Sequence, residues 1–222
     1  MEYTHCIWDF NGTVLDDIDA GVGAVNALLA QRGLPVLENR EAYRRVFGFP
    51  VRAYYEKLGF NFSREPYEVV APLWVAEYQK RVGNSGLFDD VRGTIERFRE
   101  RGIHQILLSA TERSMLRGQT DDLGISACFD EILGLDTIHA YSKCELAAQW
   151  RRDNPKAVAF FMGDTDHDAE AATAAGADCF LIAGGHQSLA KLKATGAPVF
   201  YSRREVCDHI LLLPNSEEKK ND

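Results

Sequence analysis

The chain has 222 residues and a formal net charge of −8, with 45% hydrophobic and 26% charged residues. These proportions are ordinary for a globular protein, and the length fits one domain with an insertion, or one and a half domains. The acidic balance argues against a broad surface for nucleic acid or anionic membranes, but it does not exclude a small basic pocket. Because no stretch resembles a signal peptide or a membrane span, we expect a cytoplasmic protein.

The first predicted element is a buried strand at the apolar run Cys6–Trp8, which ends at Asp9. Asn11 and Gly12 follow, and this pair between apolar segments is typical of a β-hairpin turn. A hairpin needs a second strand directly after the turn, whereas only two apolar residues come before a pair of aspartates. We therefore predict a loop at the carboxyl end of a strand rather than a hairpin.

Residues 17–83 show helical spacing and contain no convincing strand. Apolar positions in 18–29 and 67–78 fit two longer helices, and shorter helical pieces cover 41–46 and 52–58. The pattern predicts a helical insertion between the first strand and the rest of the chain. Four aromatic residues are expected to pack within it: Tyr54, Phe60, Trp74 and Tyr78.

From about residue 90 the chain alternates between amphipathic helical patterns and short apolar runs. Helices are predicted at 91–101, 113–123, 142–152, 166–175 and 187–195, and strands at 104–108, 131–135, 157–162, 179–183 and 199–201. Such alternation predicts an α/β fold with a doubly wound parallel sheet. The predicted division is a core of residues 1–16 and 84–213, the helical insertion 17–83, and a disordered polar tail 214–222.

Polar side chains stand where three of the predicted strands end: Asp9, Ser109 and Asp164. In an open parallel sheet, ligands bind beyond the carboxyl ends of the strands. Asp168 lies one helical turn after Asp164, and Lys143 starts a helix between the Ser109 and Asp164 segments. Each residue alone is more often a cap, a turn residue or a solvated side chain. Their order and placement together predict one site.

This set of side chains suits phosphoryl transfer. Carboxylates from separate strand ends can hold Mg²⁺, which prefers oxygen ligands and bridges to substrate phosphate. A carboxylate can also act as a nucleophile that forms an aspartyl-phosphate. The negative phosphoryl oxygens need neutralisation, which Mg²⁺, Lys143, the hydroxyls of Thr13 and Ser109 and the backbone N–H groups around Gly12 can supply.

Four features of the chain resemble one family: the strings DFNGTVLDD, ILLSAT and MGDTDHDAEAATAAGAD, and Lys143 between the last two. They are similar to the haloacid dehalogenase-like (HAD) hydrolases, and within them to the phosphoglycolate phosphatase-like branch with a helical cap. The resemblance extends over the chain to about Val206. It implies a Rossmann-like core, and a cap formed by residues 17–83 that closes over the site and selects the substrate.

The resemblance also implies roles for single residues. Asp9 would be the nucleophile and also a metal ligand. Asp164 would bind Mg²⁺ directly, and Asp168 would support the metal or its waters. Asn11 would be a further metal ligand through its backbone carbonyl. Lys143 would orient Asp9. The phosphoryl group would be bound by Gly12, Thr13, Ser109 and Lys143. Two arginines of the cap could contact an acidic leaving group, although surface positions are common for both: Arg45 and Arg52.

Asn11 departs from the family pattern, in which phosphatases have an aspartate at this position that protonates the leaving group and activates water. A carboxamide cannot exchange a proton near neutral pH, and this catalysis contributes roughly 10²–10⁴ in rate. Three interpretations remain open: a slow phosphatase or one for good leaving groups, a carbon–phosphorus hydrolase using a lysine such as Lys57 or Lys80, and a phospho-ligand-binding protein without turnover. A carbon–halogen hydrolase ranks lower still.

The hypothesis carried forward is a Mg²⁺-dependent hydrolase of a small phosphorylated metabolite, without a nucleic-acid or membrane partner. The substrate, the pathway and the choice between monomer and homodimer are left open by the sequence. One further segment, Gly184–His186, is predicted to be an ordinary loop rather than a phosphate-binding turn.

Overall fold

The computed structural model of the protein describes residues 2–135 and 142–212. Its strands are β1 (His5–Trp8), β2 (Leu15–Asp16), β3 (Gly86–Leu87), β4 (His104–Glu112), β5 (Glu131–Leu135), β6 (Ala159–Gly163), β7 (Asp178–Ile182) and β8 (Val199–Phe200). Its helices are α1 (Ile18–Gln31), α2 (Arg40–Val46), α3 (Val51–Lys57), α4 (Tyr67–Val82), α5 (Val91–Glu100), α6 (Arg113–Asp122), α7 (Lys143–Asp153), α8 (Asp166–Ala174), α9 (Leu189–Ala194) and α10 (Arg203–Leu211). Within the described residues, none of these helices is long and apolar enough to cross a lipid bilayer.

The main sheet is parallel, and its strand order is β5-β4-β1-β6-β7-β8 across the described residues. After β1, the chain adds β4 and then β5 on one side of β1, and it then adds β6, β7 and β8 on the other side. The strand order therefore reverses at β1, which is where open α/β sheets bind ligands. The predicted doubly wound α/β fold is confirmed.

Both faces of the sheet are covered, because successive residues of a strand point to opposite faces. Trp8 and Phe160 pack on one face with residues of α5 and α10, whereas Ile7 and Phe161 pack on the other with residues of α7 and α8. Apolar side chains on both faces explain why the central strands read as nearly continuous hydrophobic runs. This packing fixes the positions of the strand ends that carry the polar residues.

Helices α1 to α4 lie between β2 and β3 in the chain, and we call residues 17–83 the helical insertion. The insertion has an apolar cluster of its own that includes Leu28, Tyr43, Tyr55 and Val70. Strands β2 and β3 pair antiparallel in a two-stranded ribbon, so both ends of the insertion leave the core side by side. The helical content agrees with the sequence pattern, but that pattern does not predict the ribbon.

Two other elements differ from the sequence prediction. Strand β4 continues beyond Leu108 to Glu112, with an irregular register against β5 in this stretch. Helix α10 follows the last strand and was not predicted, although Val206 and Ile210 are buried on its inner face. The predicted disordered tail lies outside the described residues.

Candidate active site

The three polar residues predicted at strand ends lie on adjacent strands. Asp9 directly follows β1, Asp164 directly follows β6, and Ser109 lies in β4 just beyond its apolar run. Strand β1 pairs with both β4 and β6, so all three residues reach the same edge of the sheet. Carboxylate oxygens of Asp9, Asp164 and Asp168 lie within 4.8 Å of one another, and all three residues are buried.

Lys143 lies between two of these carboxylates. Ser142 caps α7 and Glu145 completes a capping box, which fixes Lys143 as the first residue of the helix. The buried Lys143 ammonium contacts Asp9 Oδ1 and donates to Asp168 Oδ1 at 2.5 Å. The structure thus brings Lys143 to Asp9, as the sequence analysis expected.

Both carboxylate oxygens of Asp168 accept hydrogen bonds from other groups of the protein. Its Oδ2 accepts hydrogen bonds from the backbone N–H of Asp164 at 3.0 Å and from both the N–H and the hydroxyl of Thr165, at 2.9 and 2.7 Å. Its Oδ1 accepts from Lys143. The observed contacts of Asp168 are therefore those of a residue that starts α8 and holds the lysine.

Burial and neighbouring charges shift the pKa values of the three aspartates and of Lys143. Burial raises the pKa of Asp9 well above its usual value despite the nearby Lys143 charge, and it raises the pKa of Asp164 to about 6. Burial also opposes ionisation of Asp168, but the Lys143 charge and the Lys143 and Thr165 hydrogen bonds hold its pKa below the usual value. For Lys143, the two carboxylates outweigh burial and raise the pKa. The ammonium is therefore charged at neutral pH, and a bound cation would favour the ionised form of Asp9.

The loop after β1 packs directly on Asp164. Gly12 has φ +76°, and a Cβ at this position would overlap the Asp164 carboxylate and the ring of His186. Its N–H donates to Leu15 O and to Asp17 Oδ1, rather than pointing freely to a ligand. The Thr13 hydroxyl donates to Asp164 Oδ1 at 3.1 Å. Gly12 and Thr13 therefore lie at the site, in contact with a carboxylate.

The Asn11 side chain is engaged at both ends. Its Nδ2 donates to Asp17 Oδ2 and to the Tyr78 hydroxyl, each at 2.9 Å, and its Oδ1 accepts from the Thr111 hydroxyl at 2.9 Å. Thr111 in turn links to Ser109, whose Oγ accepts from the Thr111 N–H and donates to its hydroxyl, both at 3.1 Å. Residue 11 thus connects the β1 loop to the end of β4 and to α4.

Three buried residues at the site were missed by sequence reasoning. From the sequence alone, Asp17 is only one half of an acidic pair, Tyr78 is predicted to pack within the insertion, and His186 is predicted to lie in an ordinary loop. The Tyr78 hydroxyl donates to Asp17 at 2.7 Å, the His186 ring bonds Asp17 at 3.1 Å, and the His186 N–H donates to Asp164 at 2.5 Å. Only His186 had a local signal, a polar side chain directly after two glycines, whereas Asp17 and Tyr78 have charged or polar neighbours and no such signal.

Arg44 joins the helical insertion to this edge of the core. Its guanidinium donates to the carbonyls of Gly184 and Gly185. Arg45 is exposed on α2, and the exposed Arg52 bonds Glu56 and lies over Phe62, so the structure does not bring either to the site. Their role in substrate binding stays a prediction.

The two lysines considered for carbon–phosphorus chemistry also lie elsewhere. Lys57 and Lys80 are exposed, and Lys80 pairs with Glu77 at 2.6 Å. A Schiff-base lysine needs an enclosed apolar or cationic pocket, and an exposed side chain does not lie in one.

Comparison with known proteins identifies the family. The model of the haloacid dehalogenase-like hydrolases matches residues 6–182. The chain belongs to this family. The match confirms the predicted family and the predicted class of enzyme, a HAD-like hydrolase.

This HAD-like hydrolase is 26% identical over 190 residues to a phosphoglycolate phosphatase of Pseudomonas savastanoi pv. phaseolicola, an alignment covering 81% of the chain and 69% of the relative. Its structure is similar to that of a putative phosphoglycolate phosphatase from Lactobacillus delbrueckii subsp. bulgaricus, with a TM-score of 0.78 and 19% sequence identity. The superposition covers 95% of this chain and 99% of the Lactobacillus protein. It is equally similar to the structure of protein tyrosine kinase A of Mycobacterium tuberculosis, with a TM-score of 0.78 and 21% sequence identity. This superposition covers 94% of this chain and 98% of the kinase. At these identities, the structural likeness establishes the fold alone.

The donor chemistry of this hydrolase suits a hard cation at the Asp9–Asp164 pair. Both residues offer carboxylate oxygens, which lie within 4.8 Å of one another in a buried group. Mg²⁺ prefers such oxygens. A second group of possible ligands, Cys144, His167 and Glu170, is less buried and carries softer donors. The buried oxygen set is therefore the one that fits Mg²⁺.

Arg203, in the unpredicted helix α10, binds backbone carbonyls of the loop that follows β1. Its buried guanidinium donates to the carbonyls of Thr13 at 2.7 Å and Gly12 at 3.3 Å. It also pairs with Asp90 at 3.5 Å and lies 3.7 Å from the centre of the Phe88 ring. Two backbone carbonyls of the loop thus depend on one side chain near the end of the described chain.

Replacing Arg203 with Met should lower the free energy of unfolding by about 3 kcal/mol, because it removes the side-chain donor of two buried carbonyls and the charge that pairs with Asp90. Urea denaturation measures this change. The adjacent, exposed Arg204 provides the matched control, and Arg204→Met should change stability by less than about 0.5 kcal/mol. Equal effects of the two substitutions would contradict the assigned role.

Proposed function

We propose that the chain is a Mg²⁺-dependent phosphatase of a small phosphorylated metabolite, with Asp9 as the nucleophile. The observation that carries the proposal is the arrangement of Asp9: one carboxylate oxygen faces the Lys143 ammonium, and the other has no donor within the described residues. A carboxylate that acts as a nucleophile needs one oxygen fixed in position by the protein and the other oxygen free to attack the substrate. The phosphoglycolate phosphatases to which the chain is similar support a small phosphate ester as substrate.

In the proposed reaction, Asp9 Oδ2 attacks phosphorus as the bond to the leaving oxygen breaks, and the leaving group departs with that electron pair. Lys143 holds Asp9 and neutralises charge on the phosphoryl oxygens, and the hydroxyls of Thr13 and Ser109 can turn toward them. Water then attacks phosphorus, the bond to Asp9 breaks, and inorganic phosphate leaves with the Asp9 carboxylate restored.

Mg²⁺ would be held by Asp9, Asp164 and the backbone carbonyl of Asn11, with Asp168 acting through Lys143 and the start of α8. When bound, the cation supplies positive charge against the substrate phosphate. The helical insertion is proposed to be the cap, because Arg44 and Tyr78 attach it to the edge of the core where Asp9 lies.

Residue 11 offers no proton to the leaving group. The leaving oxygen must therefore take its proton from solvent, which favours aryl and acyl phosphates whose leaving groups are weak bases. The same residue supports a second candidate function, a phospho-ligand-binding protein without turnover, because the Asn11 amide is fully used by protein partners.

Steady-state hydrolysis of a panel of aryl, acyl and alkyl phosphates with Mg²⁺ tests the proposal. We expect turnover above that of Asp9→Asn, and acid-quenched protein should carry a phosphoryl group on the peptide containing Asp9 by mass spectrometry. Turnover equal to that variant, together with saturable binding of the phosphate ester, would favour the binding protein instead.

Replacing Asp164 with Asn should raise the Mg²⁺ concentration for half-maximal activity at least about tenfold, because a neutral amide replaces one of two anionic ligands. Chelation with EDTA should abolish activity of the unmodified enzyme, and added Mg²⁺ should restore it. Asp166→Asn, two residues away and bonded to Gln187, is the matched control and should keep the original Mg²⁺ dependence. Activity that survives EDTA would contradict the metal requirement.

A further inference from the structure

Asp17 is the most heavily hydrogen-bonded carboxylate near Asp9 that has no part in the proposed reaction. It is 2% exposed and lies where the chain passes from β2 into α1. Its Oδ1 accepts from the Gly12 N–H at 3.0 Å and from His186 Nε2 at 3.1 Å. Its Oδ2 accepts from Tyr78 at 2.7 Å and from Asn11 Nδ2 at 2.9 Å. One side chain therefore joins the β1 loop, the β7–α9 loop and the helical insertion.

The donors and acceptors of this group are matched one to one. A carboxylate can only accept, so Asn11 must present its NH₂ group to Asp17. The second N–H of the same group donates to the Tyr78 hydroxyl, and the Tyr78 proton goes to Asp17. The Asn11 oxygen is then left for the Thr111 hydroxyl. The amide at residue 11 is the partner that this arrangement requires.

A carboxylate at residue 11 would break this match. Its oxygen would face Asp17 Oδ2 at hydrogen-bond distance with no donor between them, and one of the two Tyr78 bonds would also be lost. Like charges in contact at a buried position are strongly destabilising. The position at which the family places its acid–base aspartate is therefore blocked here by a second carboxylate six residues later.

We propose that Asp17 is the positioning residue of the Asp9–Thr13 loop, and that the negative charge of the Asn11–Asp17 pair belongs to residue 17 in this enzyme. The amide at residue 11 and the carboxylate at residue 17 form a single unit that can be exchanged only together. This inference deepens the proposed phosphatase function and rests on it for its kinetic consequence, but its structural consequence is independent of activity.

Exchange of the two side chains preserves every contact. With Asn11→Asp and Asp17→Asn combined, the new amide oxygen at residue 17 accepts from Gly12 and His186. Its NH₂ group donates to residue 11 and to Tyr78, whose proton turns toward residue 11, and Thr111 still donates there. The charge then lies at residue 11, two residues from the nucleophile, where an acid can serve the leaving group.

The experiment is a double-mutant cycle of Asn11→Asp, Asp17→Asn and their combination. The matched control is Asn11→Asp with Asp19→Asn, which has the same net charge but leaves Asp17 in place, since Asp19 is exposed and pairs with Arg40. Thermal unfolding at pH 7 gives Tm, and hydrolysis of 4-nitrophenyl phosphate and of glycerol 2-phosphate with Mg²⁺ gives kcat and KM. Peptide mapping verifies the amide at residue 11 in the unmodified protein.

We expect Asn11→Asp alone, and with Asp19→Asn, to lower Tm by at least about 5 °C and to give a much smaller gain in kcat than the exchange. The exchange should restore Tm to within about 2 °C and raise kcat for glycerol 2-phosphate by at least about tenfold. The gain should be smaller for 4-nitrophenyl phosphate, because its leaving group needs less protonation, and KM should change little. A merely structural partner would not produce this dependence on the leaving group.

Two results would overturn the inference: a Tm of Asn11→Asp equal to that of the parent, or a gain in kcat from Asn11→Asp alone that matches the exchange. If no protein in the series exceeds Asp9→Asn in turnover, the proposed phosphatase function fails. The Tm values then still decide whether residues 11 and 17 are exchanged only together.

Discussion

Replacing Asp9 with Asn should lower kcat by at least about 10⁴-fold and leave the fold intact. The amide is nearly isosteric and its oxygen can still accept from Lys143, but it cannot attack phosphorus to form an acyl phosphate. Lys143 keeps its partner Asp168, so the ammonium stays paired. Removing a buried carboxylate whose pKa burial has raised should cost little stability.

The measurement is steady-state hydrolysis with thermal unfolding on the same preparations. Asp89→Asn, which removes a carboxylate from an exposed position, is the matched control and should keep full activity. Residual turnover of Asp9→Asn above about one per cent, with no sign of deamidation by mass spectrometry, would show that another group attacks the substrate.

Replacing Lys143 with Met should lower kcat by at least about 10³-fold and the free energy of unfolding by about 3–5 kcal/mol at pH 8. The substitution leaves Asp9 and Asp168 buried and without their cation. Both effects follow from one side chain because the same ammonium neutralises the site and holds the nucleophile.

The stability cost of Lys143→Met should shrink as the pH falls from 8 to 5. In the parent protein, Lys143 helps to hold the pKa of Asp168 below its usual value, so this contribution is present throughout pH 8 to 5 and is lost only at lower pH. In the variant, the Thr165 hydrogen bonds to Asp168 remain, but Asp9 has lost the positive charge that opposed the effect of its burial. Its pKa is therefore raised further, and the cost of burying its ionised form falls as the pH falls. Urea denaturation at several pH values measures the trend, and the exposed Lys156→Met is the matched control. A cost independent of pH would contradict this account.

Much of the fold and the central part of the site could be predicted from the sequence. The apolar runs of strand length and the helices between them specify a parallel sheet, and a parallel sheet brings the residues after its strands to one edge. Asp9, Ser109 and Asp164 needed no more than that. Lys143 followed because a helix start after a strand also lies at this edge.

The residues that the sequence did not reveal reach the site through tertiary packing. His186 meets Asp17 from 169 positions away, and Tyr78 lies on a helix whose other aromatic residues only pack. Nothing local to these residues marks such a contact. The arginines differ by a single position: Arg44 faces the core and Arg45 does not, because one residue turns a helix by about 100°.

The central position of β1 has a consequence for the order in which the protein becomes structured during synthesis. His5 pairs with His104 on one side and with Ala159 on the other, so one edge of the first strand stays unpaired until β4 has been made and the other until β6 has been made. Contacts so distant in sequence form late and slowly, and the apolar Cys6–Trp8 segment is exposed in the meantime. Shortened chains that end before β6 should therefore aggregate, with β1 as the segment at risk.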